Sequence, residues 1–170
     1  MNASERREEI SRILKSSQEP VSAASLAKQF SVSRQIIVGD IALLRASGAD
    51  ISATPRGYAI LREESGLIRQ IAVQHKPSGM RDELNAIVDN GCTALDVIVE
   101  HPLYGQLTGP LRLSSRYDVD QFVEHYKSSD ARLLSDLTEG IHLHTLSCPD
   151  ETSFQRVQAA LRKLHILLEN

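Results

Sequence analysis

The sequence predicts an α+β protein, with an N-terminal winged helix-turn-helix domain at residues 1–62 and an α/β sandwich with a largely antiparallel sheet at 66–170. Two helical patterns separated by a short turn, then two short strands, indicate the winged helix. Strand-like and helical segments alternate afterwards, which is typical of a layered sheet. The charge also changes sign. Residues 20–62 carry five basic and two acidic side chains, and those from 66 onward carry ten and fourteen, which indicates domains with different partners.

Composition excludes several classes of protein. The 170 residues are 41% hydrophobic and 24% charged, outside the ranges of disordered and fibrous chains. No apolar run approaches the ~18 residues that cross a bilayer, and the N-terminus is charged where a signal peptide is apolar. We therefore expect a cytoplasmic protein with no membrane partner. The two cysteines, Cys92 and Cys148, are far apart and suit a reduced compartment.

The first helices follow from apolar spacing. The segment "SERREEISRILKSSQ" predicts an amphipathic helix with Ser4 as its N-cap. After Pro20 a helix is predicted at 23–30, and another begins at Ser33 and ends at Gly48. In that last helix the apolar residues that face a core are Ile37, Ile41 and Leu44. The residues left for solvent or a partner are Arg34, Gln35, Val38 and Asp40.

Two short strands, "ISAT" and "YAIL", flank the turn "PRG" and predict the wing. The segment "SLAKQFSVSRQIIVGDIALLRASG" with this wing resembles the winged-helix modules of bacterial repressors of the biotin-repressor type. The sequence departs from that pattern at Ser31, where a left-handed backbone usually selects glycine. Gly39 is a second departure, since glycine inside a helix costs roughly 1 kcal/mol relative to alanine.

Winged helices also serve as protein-docking modules, but the local positive charge here favours operator DNA. The predicted DNA-binding residues are Ser33, Arg34, Gln35 and Arg56. Arg34 or Gln35 would reach base edges in the major groove, and Arg56 would meet a phosphate or the minor groove. A single small module rarely binds tightly enough alone, so we expect a homodimer on two half-sites.

After a linker, "REESG", the second half predicts alternating elements. In order they are strand "LIRQIAVQH", helix 80–89, strand "TALDVIVEH", a Gly/Pro-punctuated stretch "PLYGQLTGP", strand "LRLSS", helix 119–127, strand "IHLHTLSC" and helix 151–164. This order suggests a broadly ferredoxin-like sandwich with helices on one face. No phosphate loop, nucleophile elbow or four-cysteine zinc pattern occurs.

Histidine is the remaining chemical feature. His142 and His144 project from one face of a strand and can meet one metal ion, although such a pair alone is more often solvated or hydrogen-bonded. His75 at a strand end and Glu83 in the next helix can converge on the same strand. Three imidazoles and a carboxylate suit a divalent transition metal, and zinc, nickel, iron, cobalt and manganese all remain open. Cys148 is a weaker further candidate.

The other three histidines give weaker indications of function. His125 and His165 are expected in plain surface or packing roles. His101 ends a strand and precedes Pro102, an intermediate case.

The motifs "IAVQHKPSGMRDELNAIVDNG", "LDVIVEHPLYG", "LSSRYDVDQFVE" and "LLSDLTEGIHLHTLSCPDE" join the two halves. With the winged helix they closely resemble, over nearly the whole chain, the bacterial niacin-responsive transcriptional repressors, whose regulatory domain is called the three-histidine domain. The resemblance implies a repressor of genes for NAD biosynthesis or niacin uptake, with nicotinic acid as co-repressor and a bound divalent metal. The metal ligands of that family fall on His75, Glu83, His142 and His144.

The motif "EHPLYG" implies that His101 and Tyr104 line an effector pocket, and either of them or Arg112 would orient nicotinate. A protein of this kind is not an enzyme. Two alternatives stay open: a metal sensor in which the ion itself is the effector, and a metal-dependent hydrolase using a bound water. The hydrolase lacks a separate general base at a diagnostic spacing.

Overall fold

The chain divides into two units, residues 1–63 and 64–170. The computed structural model of the protein describes residues 1–61 and 65–170. Most of the predicted linker "REESG", and the predicted domain boundary at residue 62, lie outside the described residues. No helix in the described ranges is long and apolar enough to cross a membrane.

Helix α1 (Ala3–Ser16) starts with a capping box. The Asn2 side chain accepts from the backbone N–H of Glu5, and the Glu5 carboxylate accepts from the backbone N–H of Asn2, both at 2.9 Å. These two bonds satisfy N–H groups that the first helical turn leaves unpaired. The prediction that Ser4 caps this helix is therefore wrong, because the N-cap is Asn2, two residues earlier.

Helices α2 (Ala23–Phe30) and α3 (Arg34–Ala46) form the helix-turn-helix. Each begins with a serine cap: Ser22 accepts from the backbone of Ser25 at 3.0 Å, and Ser33 from that of Ile36 at 3.2 Å. Both helices were predicted at these positions. Between them Ser31 adopts the left-handed conformation, with φ 55° and ψ 42°, as the comparison with glycine-containing turns suggested.

Replacing Ser31 with glycine should stabilise the N-terminal unit by about 0.5 to 1 kcal/mol. Glycine has no Cβ and avoids the penalty of roughly 1–2 kcal/mol that other residues meet in the left-handed region. Its greater conformational freedom also stabilises the unfolded chain, which cancels part of that gain. Urea unfolding monitored by circular dichroism measures the change. Ser47→Gly is the matched control: Ser47 has φ −84°, so glycine should destabilise there. A destabilised Ser31→Gly would contradict the strain argument.

The core of the N-terminal unit lies against α3. Ile37 and Ile41 are buried there as predicted, and Leu44 is half-buried. Asp40 was expected to face solvent or a partner, and this is wrong: the residue is 4% exposed and belongs to the interior of the unit. It accepts from the Arg6 guanidinium of α1 at 2.6 Å and lies 3.5 Å from Arg7. A buried carboxylate needs such partners, and α1 supplies them.

Strands β1 (Ser52–Thr54) and β2 (Gly57–Ala59) form the predicted wing hairpin. They pair antiparallel, with Thr54 opposite Gly57. An isolated bridge between Val21 and Tyr58 joins the wing to the residues before α2. The wing is therefore fixed to the helices of its own unit.

The C-terminal unit contains one antiparallel sheet flanked by helices. Its strands are β3 (Leu67–Gln74), β4 (Thr93–His101), β5 (Gly105–Leu113), β6 (Ile141–Cys148) and β7 (Leu167–Leu168), in the order β5-β4-β6-β3-β7. Its helices are α4 (Met80–Asp89), α5 (Arg116–Ser128) and α6 (Glu151–Lys163), with 3₁₀ helices at Pro77–Gly79 and Leu134–Thr138. α4 contacts both α5 and α6, and the core lies between this helical layer and the sheet. The predicted fold class is confirmed.

The strand order corrects the ferredoxin-like expectation. The succession β3-α4-β4-β5-α5-β6 has the expected βαββαβ sequence, but a ferredoxin-like sheet places its first and third strands in the centre. Here the second and fourth, β4 and β6, are the inner pair of those four strands. α6 and the short strand β7 then extend the sheet beyond β3. β7 was not predicted, because two consecutive leucines are too few to show the alternating pattern that indicates a strand.

β5 also differs from its prediction. The stretch "PLYGQLTGP" was expected as a punctuated connection, yet its residues from Gly105 onward belong to β5 and pair with β4. Pro110 is tolerated because β5 is an edge strand, where a missing N–H need not break the ladder. The serines of "LRLSS" lie beyond the strand, and Ser115 caps α5, which begins at Arg116 rather than Val119.

Candidate metal centre

Strand register brings the histidines of β6 and β3 together. His142 pairs with Val73 and His144 with Ile71, so both imidazoles leave the sheet on the face that carries those buried residues. His75 directly follows the last residue of β3, and β3 is the strand that pairs with β6. Glu83 lies in the first turn of α4, the helix that packs on this face. The three imidazoles and the carboxylate all have side chains at most 6% exposed.

The Glu83 carboxylate lies at the centre of the cluster. One oxygen is 2.5 Å from Nε2 of His75. The other is 3.0 Å from Nε2 of His142 and 2.8 Å from Nε2 of His144. The rings of His75 and His142 meet edge to face at 4.9 Å, as do those of His142 and His144 at 4.8 Å. All three Nε2 atoms therefore converge on one carboxylate.

The other ring nitrogens fix the tautomers. Each Nδ1 lies against a backbone carbonyl: that of Lys76 for His75 at 2.7 Å, of Gly140 for His142 at 2.8 Å, and of Asp96 for His144 at 2.6 Å. A carbonyl only accepts, so each Nδ1–H donates, and in the neutral ring Nε2 carries a lone pair. This is the outer-shell arrangement that orients metal-binding histidines.

A cation between the Nε2 atoms and the carboxylate oxygens would stabilise this arrangement. A carboxylate has no hydrogen to donate, so lone pairs on Nε2 and on oxygen repel each other unless a proton or a metal ion lies between them. Nε2 of His144 is buried without a hydrogen-bond partner among the described residues, although the Glu83 oxygen is near. The residues present thus fit a metal ion of the borderline class, which prefers imidazole nitrogen and carboxylate oxygen.

Charge in the cluster keeps the carboxyl ionised. Burial by itself raises the pKa of Glu83, but the positive charge of His144 and the contacts with the Nε2 atoms of the three imidazoles hold that pKa well below its ordinary value. Burial lowers the pKa of His75 and of His144, but Glu83 together with the backbone carbonyl at each Nδ1 raises them, and both pKa values are raised overall. An ionised carboxylate is the form that binds metal. Donor atoms of His75, Glu83 and His142 lie within 4.8 Å of one another, close enough to hold an ion.

Comparison with known proteins identifies the two parts of the chain. Residues 68–170 match the 3H domain and residues 6–59 match an HTH domain. The chain belongs to the 3H-domain family. It is 46% identical over 165 residues to the probable transcription repressor NiaR of Thermotoga maritima, and 41% identical over 169 residues to the transcription repressor NadR of Bacillus subtilis. Each alignment covers 97% of this chain and 94% of the relative. The predicted resemblance is confirmed.

A cavity of about 40 Å³ adjoins the histidines of the 3H domain. Its polar lining is the histidine cluster and Ser135. Its apolar walls include Phe122 of α5, Leu134 at the start of the 3₁₀ helix Leu134–Thr138, and the preceding Leu133. The cluster therefore borders a space with one charged end and apolar sides, an arrangement suited to a small amphipathic ligand.

The predicted effector residues lie elsewhere, on β4, on β5 and in the turn between these strands. The His101 ring accepts from the backbone N–H groups of Leu103 and Tyr104 at 3.0 and 3.2 Å, and lies 5.0 Å from the Tyr104 ring. Arg112 adopts a left-handed conformation near the irregular pairing of β5. None of the three is among the described residues that line the cavity. Their contact with an effector stays a prediction.

Two glycines that sequence reasoning missed shape the site. Gly140 has φ +89°, and a Cβ there would lie 2.3 Å from the carbonyl oxygen of His75. A Cβ at Gly79 would lie 3.2 Å from the His75 ring. Both glycines allow the chain to pass close to His75, and the glycine directly before "IHLH" was the available clue in the sequence. Cys148 is at the far end of β6, opposite Leu67, away from His142.

The predicted DNA-binding residues lie at the start of α3 and at the wing. Arg34 and Gln35 are exposed, and the Ser33 side chain caps α3. The Arg56 guanidinium lies 3.0 Å from the exposed Glu19 carboxylate. Exposed pairs of this kind contribute little to stability, and a contact of Arg56 with DNA stays a prediction.

Proposed function

We propose that this protein is a DNA-binding transcriptional repressor of genes for NAD biosynthesis or niacin uptake, with nicotinic acid as co-repressor and a divalent transition metal in the 3H domain. One observation carries the proposal: four buried donor groups converge in one domain of a chain whose other domain is a winged helix-turn-helix. Relatives that align with 97% of the chain are named transcription repressors.

The metal ligands would be His75, Glu83, His142 and His144. Nickel, zinc, iron, cobalt and manganese all accept this donor set. A bound ion would offer a positive charge and an open coordination position to a carboxylate or a pyridine nitrogen. The protein's part is to hold three imidazoles in one tautomer through carbonyl contacts, and to exclude water with apolar walls.

Nicotinate is a small flat anion, which matches a cavity with apolar walls and a site for a cation at one end. The cavity of about 40 Å³ has room for about three water molecules, which is less than an aromatic acid needs. Binding therefore requires a wall to move, and the 3₁₀ helix at Leu134–Thr138 is a short wall element. We assign His101, Tyr104 and Arg112 as further effector contacts. Movement of a wall gives the effector a means to favour one conformation of the repressor.

On the DNA side, Arg34 and Gln35 would contact base edges, with Ser33 and Arg56 at the phosphate backbone. A homodimer would place two copies of α3 on successive half-sites. A co-repressor that binds the DNA-competent dimer about 100-fold more tightly supplies about 2.7 kcal/mol of coupling. This amount is sufficient for a clear regulatory response.

Operator binding with and without nicotinic acid, on metal-loaded and chelated protein, tests the proposal. The DNA is a duplex selected from a randomised pool by the metal-loaded protein with nicotinic acid. We expect nicotinic acid to raise the affinity for this duplex about 100-fold, and the chelated protein to lose that response. Nicotinamide and NAD serve as competing effectors.

Other outcomes would contradict parts of the proposal. Binding that follows metal but ignores the vitamin would make the protein a metal sensor. Turnover of an ester, amide or phosphate by the metal-loaded protein would favour a hydrolase. Failure to select any duplex would exclude the repressor function itself.

A further inference from the structure

The first turn of α3 exposes an apolar side chain beside the polar residues that are proposed to meet DNA. Ile36 is 44% exposed, whereas the adjacent Ile37 is fully buried in the core of the unit. Arg34 and Gln35, its other neighbours in sequence, are both exposed. The N-terminal residues of a recognition helix are the ones that contact base edges. Ile36 therefore lies where an apolar contact with a base is possible.

Gly39 is one helical turn further along the same surface. It is exposed, and a Cβ placed there would meet nothing within 4 Å. Its φ is not positive, so the backbone does not require glycine. Glycine destabilises a helix interior relative to alanine, and among residues 1–61 no close contact at Gly39 requires the missing side chain. A surface that comes close to α3 from outside would account for the missing side chain.

Helical spacing places these residues together. Gly39 follows Ile36 by three positions and Gln35 by four, the separations at which side chains are neighbours on a helix surface. The backbone at Gly39, which carries no side chain, therefore lies beside the side-chain amide of Gln35 and the apolar side chain of Ile36. Neither Gly39 nor Ile36 was among the residues predicted to bind DNA.

We propose that Ile36 contacts a thymine methyl group in the major groove and that Gly39 lets α3 approach the base edges closely enough for this contact. The thymine methyl is the apolar feature of the major-groove edge, and a glutamine amide pairs with adenine in two hydrogen bonds. Ile36 and Gln35 together therefore select A·T pairs in each half-site. This inference rests on the proposed DNA-binding function.

Replacing thymine with deoxyuridine tests the Ile36 contact, because it removes the methyl group and leaves the hydrogen-bonding edge unchanged. Each thymine of the selected duplex is replaced in turn, and affinity is measured by fluorescence anisotropy at one salt concentration. We expect about a fourfold loss at one thymine in each half-site, the effect of exposing one methyl group. Ile36→Ala should abolish this sensitivity, while Leu43→Ala, which truncates another exposed apolar residue of α3, should keep it.

The opposite results overturn the inference. Equal affinity for every uracil-substituted duplex would exclude a methyl contact, and uracil sensitivity that persists in Ile36→Ala would assign the contact to another residue. If wild-type protein selects no duplex, the DNA-binding function fails instead, and this inference with it.

Gly39→Ala tests the close approach. We expect this variant to unfold at a higher temperature than the wild type, because alanine favours the helix. Its affinity for the selected duplex should fall about tenfold, the scale of one good base contact. A more stable protein that binds less well excludes misfolding as the cause. Unchanged or increased affinity would show that nothing approaches α3 closely at Gly39.

Discussion

Glu83→Gln is expected to abolish stoichiometric binding of nickel or zinc, with a loss of affinity of at least about 100-fold. Changes to residues that only orient metal ligands already lower metal affinity about 10- to 100-fold. Glu83 lies within 3.0 Å of all three imidazoles, so its replacement should have a larger effect. Glutamine has nearly the same shape but no negative charge, and its amide group cannot replace a carboxylate that contacts three imidazoles. Isothermal titration calorimetry of the apoprotein measures the change.

Two further variants define the Glu83 result. His144→Ala removes a second proposed ligand and should give a comparable loss of metal affinity. His125→Ala removes an exposed histidine of α5 and should bind metal like the wild type. Metal affinity in Glu83→Gln within a few-fold of the wild type would exclude the carboxylate as a ligand. The cluster would then be a buried hydrogen-bonded network.

Gly140→Ala is expected to destabilise the 3H domain by about 3 kcal/mol and to weaken metal binding. A left-handed backbone costs a residue with a Cβ about 1–3 kcal/mol. In addition, the new methyl group would lie 2.3 Å from the His75 carbonyl oxygen, so β6 and His75 must separate. Since His142 donates to the Gly140 carbonyl, the shift displaces two proposed ligands. Urea unfolding and calorimetry report the two effects.

Gly105→Ala is the matched control for Gly140. Gly105 has φ +72°, and a Cβ there meets nothing within 4 Å, so this variant pays the backbone cost without the clash. It should lose less stability and keep the metal affinity of the wild type. Equal losses in the two variants would show that the close approach at His75 has no energetic effect.

The winged helix could be predicted because each pattern that indicates it spans only a few neighbouring residues. Apolar residues at helical spacing mark Ile37 and Ile41 as core residues, and a turn motif marks the wing. The left-handed Ser31 follows from the same local pattern. The burial of Asp40 could not be predicted from α3, because the arginines that neutralise its carboxylate belong to α1, more than thirty residues earlier.

The candidate metal cluster was only partly predictable. A period of two in β6 places His142 and His144 on one face. The position of His75 at a strand end and of Glu83 in the next helix added those two residues, and the family resemblance implies the same set. The partners that hold the imidazoles could not be predicted. His144 depends on the carbonyl of Asp96, 48 residues away, since only the pairing of β4 with β6 brings that backbone near.

The sequence by itself determined which residue types can bind metal and DNA, because periodicity and composition act over a few neighbouring residues. Only the tertiary structure decided the strand order, the tautomers of the histidines and the close passage of Gly140 past His75. These features depend on contacts between segments distant along the chain. A short stretch such as "GIHLHT" encodes the face on which its imidazoles project, but it does not encode the carboxylate and carbonyls that they meet.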